Sequence, residues 1–169
     1  LHQQLAGGGA LAPGANFYLP DRQDGTAIWR ELAATGTFAP STLSGVRAPE
    51  QYAVDKRWVG ALNASAAKFG SSWLHSLLLA VAYIESGEVS RPLRMLQDAQ
   101  RQPGGVASPI VARNLAVLSS GAEEAWVHFL RAWNLTLAPP PALESADVTR
   151  RLLRNMADEL LQFLLGQLP

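Results

Sequence analysis

Residues 72–87 carry the sequence SWLHSLLLAVAYIESG, and this stretch decides the fold class. Ser72 is a typical helix N-cap, and Gly87 is a typical glycine stop after a helix. The apolar residues between them cover a wide arc of the helix rather than one narrow stripe. The sequence therefore predicts a helix over 72–86 that other helices cover on both sides. The arc consists of Leu74, Leu77, Leu78, Val81 and Ile84.

Three more helices are predicted downstream of this stretch. Ser90 can cap the first, and Pro92 lies in its first turn, where a missing backbone N–H costs nothing. A Pro-Gly-Gly break at 103–105 separates it from an apolar helix over 110–119 and a partner helix over 123–133. The inner stripe of the first of these helices is formed by Leu93, Leu96 and Ala99.

The two resulting helix pairs repeat each other at an offset of 33 to 36 residues. The matched positions are Leu79-Ala80-Val81 with Leu115-Ala116-Val117, Gly87 with Gly121, Leu96 with Phe129, and Ala99 with Ala132. This pattern resembles the tetratricopeptide repeat, in which small residues let paired helices approach closely. The first half of its motif is matched by Ala80, Tyr83 and Gly87, and the second half by Ala125, Phe129 and Ala132. The first pair departs from the motif because Pro92 stands where an alanine is expected.

A wider resemblance covers roughly a third of the chain. The residues that carry it are Trp58, Gly70, Trp73, Leu74, His75, Tyr83, Gly87 and the run Arg113-Asn114-Leu115-Ala116-Val117-Leu118. With these residues, the stretch 58–118 is similar to the C-terminal repeat region of a family whose N-terminal domain is a β-sandwich like that of galactose mutarotase. The resemblance implies a larger, carbohydrate-related parent protein, and it assigns no catalytic residue to this chain.

The first 49 residues are predicted to be an irregular extension with one short helix. Gly7-Gly8-Gly9, Pro13-Gly14 and Pro20 favour a linker. Asp24 can cap a helix that carries Ile28, Trp29 and Leu32 and ends at Gly36, and residues 40–49 are predicted to form a loop. The chain opens on Leu1 rather than methionine, which favours a fragment of a longer protein.

Residues 50–138 are predicted to hold the helical repeats, led by an amphipathic helix that starts at Glu50 and stops at Gly70. Its apolar positions are Val54, Trp58, Ala61, Leu62, Ala66 and Phe69. Residues 139–169 are predicted to be a proline-rich spacer and a C-terminal capping helix whose N-cap is Asp147. The apolar side of that helix is Val148, Leu152, Met156, Leu160, Phe163 and Leu164, and its charged side is Arg150, Arg151, Arg154, Asp158 and Glu159.

Composition excludes several classes of function. The 14 basic and 14 acidic residues balance, so no long-range field attracts nucleic acid or an anionic membrane. The chain has no cysteine, which rules out disulfides, thiolate metal sites and cysteine nucleophiles. No apolar run reaches the roughly 20 residues that span a bilayer. We therefore expect a soluble chain with no nucleic acid, membrane, metal or cofactor as a partner; the compartment stays open, with the cytoplasm slightly favoured.

The residues that could carry chemistry are better explained by packing, by surface roles or by helix capping. The three histidines, His2, His75 and His128, lie far apart in the sequence and show no metal-ligand spacing. Glu123 and Glu124 suit the first turn of a helix better than a catalytic pair. Among the tryptophans, Trp58 and Trp73 are predicted to be core residues, whereas Trp126 and Trp133 could share a partly exposed helix face.

The predicted fold is all-α: a tetratricopeptide-like array of antiparallel helix pairs with an irregular N-terminal extension. The expected function is non-catalytic binding of a peptide, a protein or an adjacent domain of the same chain, with Tyr83, Arg113 and Asn114 in the groove. Two alternatives stay open: a structural appendage of a carbohydrate-active domain, and a fragment of a carbohydrate-active enzyme whose catalytic domain is missing. The repeat signature is Ala80, Gly87, Leu96, Ala99, Ala116, Gly121, Ala125, Phe129 and Ala132.

Overall fold

The computed structural model describes residues 27–49, 51–139 and 146–166, and every regular element in these residues is a helix. The all-α class is therefore confirmed for the described part of the chain. The helices are α1 (Ala27–Thr35), α2 (Pro40–Gly45), α3 (Lys56–Phe69), α4 (Trp73–Glu85), α5 (Ser90–Gln100), α6 (Pro103–Val106), α7 (Pro109–Leu118), α8 (Ala122–Leu137) and α9 (Ala146–Gly166).

Helix α4 lies at the centre of the core, as its sequence predicts. The Ser72 hydroxyl accepts a hydrogen bond from the His75 N–H at 3.4 Å, and the His75 ring accepts one from the Ser72 N–H at 3.2 Å. This reciprocal capping box satisfies two backbone donors that the helix start would otherwise leave unpaired. Residues 73–80 are all buried, and α3, α5 and α6 pack against the helix. Gly87, with φ of 85°, closes its C-terminal end.

Neighbouring helices in the sequence also contact each other in space. Helix α5 packs against α4 and α7, α7 packs against α8, and α8 packs against α9. The main apolar core joins α1, α3, α4, α5, α7 and α9. A smaller cluster of Ala112, Ala132 and Met156 connects α7, α8 and α9.

The short helix predicted to carry Ile28, Trp29 and Leu32 and to end at Gly36 is confirmed as α1, and Gly36 has φ of 78°. Residues 27–49 nevertheless form part of the core rather than a peripheral extension. Trp29 is fully buried and lies edge-to-face against Trp58, with 5.0 Å between the ring centroids. Trp73 Nε1 donates to the Leu43 carbonyl oxygen at 3.0 Å. Residues 40–49, predicted to be a loop, contain α2, because Pro40 at the first helical position favours a helix start. The glycine and proline turns before Pro20 and the cap at Asp24 lie outside the described residues.

Several predicted helix boundaries need correction. Helix α3 begins at Lys56 rather than Glu50, because Asp55 caps it by accepting from the Arg57 N–H at 2.7 Å. The N-cap of α5 is Val89 rather than Ser90, and α9 includes Asp147 instead of beginning after it. Helix α8 continues four residues beyond the predicted end at Trp133, to Leu137.

The predicted break at 103–105 is the one-turn helix α6, and its glycines are needed for close packing. A Cβ added at Gly104 would collide with the Trp73 indole, and one added at Gly105 would collide with the Ala99 carbonyl. These glycines therefore permit contact between α6 and its neighbours rather than flexibility between two repeats.

The small and large apolar positions of the predicted repeat are buried, whereas its two turn glycines differ. Gly87 adopts a positive φ, but Gly121 has φ of −115° and is the N-cap of α8. The predicted equivalence of these glycines is wrong at the level of the backbone, because only Gly87 needs a conformation that favours glycine. The buried repeat positions are Ala80, Leu96, Ala99, Ala116, Ala125, Phe129 and Ala132.

Candidate functional site

A cavity of about 420 Å³ opens between α4, α7, α9 and the residues Ala48, Pro49 and Tyr52. Its volume lies within the range of roughly 300–1,000 Å³ that is usual for ligand pockets. Most of its wall is apolar and includes Val81, Ile84, Ile110, Val117, Leu152 and Met156. The polar groups on its wall belong to Tyr52, Glu85, Arg113, Asn114, Arg151 and Asn155.

The two predicted groove residues on α7 meet at this cavity. Arg113 Nη1 donates to Asn114 Oδ1 at 2.8 Å, and Asn114 itself is buried. A guanidinium that holds a neighbouring amide in place is a fixed polar element in an otherwise apolar wall. The structure therefore places both residues where a ligand could contact them.

The third predicted groove residue, Tyr83, does not line the cavity. The guanidinium of Arg91 lies 3.8 Å above its ring, a cation–π contact between α4 and α5. Val81, Ile84 and Glu85 supply the α4 wall instead. Residues three and four apart share one helix face, so Val81, Ile84 and Glu85 lie on the same face of α4. Tyr83 lies on a different face of the helix.

Two cavity residues were missed by the sequence reasoning. Tyr52 precedes α3 in a segment without helical hydrogen bonding, although the sequence predicts it inside a helix. Its Oη is buried and has no hydrogen-bond partner among the described residues. Arg151 was predicted to lie on a solvated helix face; it is exposed, yet it also borders the cavity. Neither position carries a local sequence signal, because the cavity forms from segments that are distant in the chain.

The buried Arg47 lies five residues before Tyr52 and links this segment to the end of α8. Arg47 is 5% exposed, and its Nη1 donates to the carbonyl oxygens of Leu135 at 2.7 Å and Ala138 at 3.0 Å. A cation at this position satisfies carbonyl groups that the end of α8 leaves unpaired. Ser108 Oγ donates to the Arg47 carbonyl oxygen at 2.6 Å. These bonds fix residues 46–49 and so help to position the neighbouring cavity wall.

His75 is a packing residue in the structure, as predicted. Ser65 Oγ lies 2.8 Å from Nε2 of the ring, and Ser72 Oγ lies 2.7 Å from Nδ1. The ring is 2% exposed, and burial lowers the pKa of His75 to about 4. Although a serine beside a histidine can act as a nucleophile and its base, both groups are buried here and a substrate carbonyl cannot reach them. The network instead joins α3 to α4.

The tryptophan predictions are also settled by burial. Trp58 and Trp73 are buried core residues, and Trp126 and Trp133 are half-buried on α8. Leu130 and Leu137 continue the same helix face and are exposed, so that α8 carries a partly exposed apolar stripe.

The described residues contain no group of three histidine or carboxylate side chains close enough to hold a metal ion. None of the helices in the described ranges is both long enough and apolar enough to cross a bilayer. No protein-family model, curated protein or solved structure matches this chain, so the cavity and the residues on its wall are the basis for assigning a function.

Proposed function

We propose that the chain is a non-catalytic binding module built from tetratricopeptide-like helix pairs, and that its cavity receives a segment of a partner polypeptide or of an adjacent domain. The observation that supports this function most directly is the cavity itself. Its wall combines apolar side chains with a few polar groups, which is the usual composition of a ligand-binding pocket.

The helix pairing supports an array of this kind. Residues 86–89 connect α4 to α5, and residues 119–121 connect α7 to α8. Connections this short favour antiparallel neighbours. The buried alanines at matched positions, such as Ala99 and Ala132, allow the close helix approach that repeat arrays use.

The position of the cavity relative to the pairs supports a binding face. It takes its walls from α4 and α7, the first helices of the two proposed pairs, and from α9. In arrays of paired helices, the first helices of successive pairs form the concave surface. An extended or helical peptide that follows this surface would pass over the cavity and insert a side chain into it.

A matched pair of variants tests the proposal. Val117 lines the cavity and is 57% exposed, whereas Val127 lies on α8 and is 59% exposed. Val117→Trp should fill the mouth of the cavity, and Val127→Trp should add the same side chain elsewhere. Peptides are first selected from a random dodecapeptide phage library on the full chain, and their binding to both variants is measured by calorimetry.

We expect the selected peptides to lose at least tenfold in affinity for Val117→Trp, about 1.4 kcal/mol, and to bind Val127→Trp as they bind the unchanged chain. Equal affinity for the two variants would place binding outside the cavity. Failure to select any peptide on the folded chain would count against a peptide-binding module altogether.

A further inference from the structure

Helix α9 is anchored to the rest of the protein through a short apolar segment. Among its described side chains, those that are buried are Leu152 and Met156, which lie four residues apart on one face of the helix. Nearer its C-terminal end, Leu161 and Leu165 are each 57% exposed. The burial of α9 is therefore concentrated around one helical turn, and we call Leu152 and Met156 its anchors.

The surface beneath Met156 belongs to α7 and α8. Met156 packs with Ala112 of α7 and Ala132 of α8, two small residues that let a helix approach closely. Thr136 Oγ1 lies 3.1 Å from the Met156 sulfur atom, but it also donates to the Ala132 carbonyl oxygen at 2.8 Å, so this polar contact is weak. We call Ala112, Ala132 and Thr136 the α9 seat. Apolar packing, rather than directional bonding, holds Met156 on it.

The cavity lies beside the α9 seat, between α9 and α4. Both anchors of α9 line it, and Val81 and Ile84 line it from α4. A gap of this size removes the van der Waals contacts that close packing would supply across it. Helix α9 is therefore held less firmly on this side than a helix with a filled interface.

The connection from α8 does not fix α9 as an extension of α8. Residues 138–145 read Ala-Pro-Pro-Pro-Ala-Leu-Glu-Ser. Successive prolines supply no backbone N–H for helical hydrogen bonds, so this connection cannot continue the helix. Its reach is about 28 Å at most. A detached α9 therefore stays close to its seat and rebinds at a high effective concentration.

We propose that the α9 seat is a docking site for an amphipathic helix of a partner protein, and that α9 occupies this site in the free chain. The partner helix places two apolar side chains, four residues apart, where Leu152 and Met156 now lie. Helix α9 is the argument for this class of occupant, because the seat already receives a helix with this spacing and helix-in-groove recognition relies on it. The inference rests on the proposed function and adds the class of partner and the control of its access.

Binding to an occupied seat is a competition. A partner helix binds only the fraction of chains in which α9 has left the seat, so its apparent affinity is reduced by that fraction. A change that weakens the anchors but leaves the seat intact raises the open fraction. While most chains remain closed, the affinity for the partner helix rises by the same factor.

The test uses the full chain and a fluorescein-labelled peptide with the sequence of residues 146–166, which carries both anchors. Fluorescence anisotropy measures binding of the peptide, and hydrogen exchange measures the opening of α9. Met156→Ala in the chain weakens an anchor, and Leu161→Ala is the matched control because that side chain is exposed on the same helix. A second peptide carries Met156→Asp. Thermal unfolding followed by circular dichroism establishes whether each chain variant folds.

We expect Met156→Ala to speed hydrogen exchange in α9 by about tenfold or more while exchange in α4 stays unchanged. The affinity of the chain for the unchanged peptide should rise by the same factor. Leu161→Ala should change neither quantity by more than about twofold. The Met156→Asp peptide should bind neither chain, because a charge would enter an apolar seat.

Three outcomes would overturn the inference. Exchange in α9 as slow as in α4, or a Met156→Ala chain that unfolds as a whole, would make α9 an integral part of the core and leave the binding module standing. A peptide that binds the unchanged chain and Met156→Ala equally, or binds neither, would exclude the seat as its docking site. Dimers that form by exchange of α9 as the concentration rises in size-exclusion chromatography would identify a second copy as the occupant, against a separate partner.

Discussion

The Oγ atom of Ser65 lies 2.8 Å from Nε2 of His75, and this contact connects α3 to α4 inside the core. The other ring nitrogen, Nδ1, accepts from the Ser72 N–H at 3.2 Å, so the ring proton resides on Nε2 and is donated to Ser65. The neutral ring therefore satisfies partners on both sides. A protonated ring would direct a second N–H against the Ser72 N–H and would carry a buried charge.

This arrangement predicts an acid-sensitive fold. Because burial lowers the pKa of His75 to about 4, the unfolded chain binds a proton between pH 6.5 and pH 4 that the folded chain does not. The free energy of unfolding should therefore fall as the pH drops through this window, by about 2 kcal/mol between pH 7 and pH 4.5. Urea unfolding of the unchanged chain and of His75→Gln at both pH values measures the effect. An equal pH dependence in the two proteins would show that His75 is not its source.

Substitution of Gly105 should be costly, because an added Cβ would collide with the Ala99 carbonyl of α5. We expect Gly105→Ala to lower the free energy of unfolding by about 3 kcal/mol. Gly60 is the matched control, since it is exposed within α3 and a Cβ there meets nothing within 4 Å. Gly60→Ala should raise stability by about 1 kcal/mol through its higher helix propensity. Losses of similar size in both variants would contradict the close approach of α6 to α5.

The hydrogen bonds of Arg47 predict a stability effect at the C-terminal end of α8. Arg47→Met removes a buried donor from the carbonyl oxygens of Leu135 and Ala138, and we expect a loss of about 2 kcal/mol. Hydrogen exchange should also become faster in the last turn of α8. Arg101 provides the comparison, because its ion pair with Asp98 is exposed and Arg101→Met should cost less than about 0.5 kcal/mol. An equally small effect at Arg47 would mean that its bonds to α8 contribute little.

Tyr52 should be dispensable for folding in the absence of a ligand. Its Oη has no hydrogen-bond partner among the described residues, so Tyr52→Phe removes an unfavourable buried hydroxyl and should leave stability unchanged or raise it by up to about 1 kcal/mol. Urea unfolding measures the change. A loss of stability in Tyr52→Phe would indicate that the hydroxyl already has an acceptor and is not available to a ligand.

The sequence predicts best those elements whose signals are local. Helix α4 has its cap, its apolar arc and its glycine stop within 16 residues, and the structure reproduces the predicted bounds to one residue at each end. Helices α2 and α6 escape prediction because each is only one or two turns long and begins at a proline, which reads equally well as a break. The tetratricopeptide and galactose-mutarotase-linked resemblances stay predictions, because no comparison tests them.

The candidate site was predicted in part. Arg113 and Asn114 could be chosen because they belong to the repeated helix pairs, and they do line the cavity. Tyr83 was chosen from the repeat motif, but the motif does not specify which side of α4 faces the cavity. Tyr52 could not be found from periodicity, because residues 46–49 and Tyr52 reach the site through contacts between distant parts of the chain, including those of Arg47.

The contacts of Arg47 also constrain how early in synthesis this part of the fold can form. Arg47 bonds to carbonyl groups that lie 88 and 91 residues later in the sequence. Pairing over such separations requires closure of a long loop and is slow compared with the formation of neighbouring helices. A nascent chain that leaves the ribosome from its N-terminus cannot make these bonds until Ala138 has emerged. The Arg47 contacts therefore form only after the helices that precede Ala138 have emerged, and a chain released before that residue would lack them.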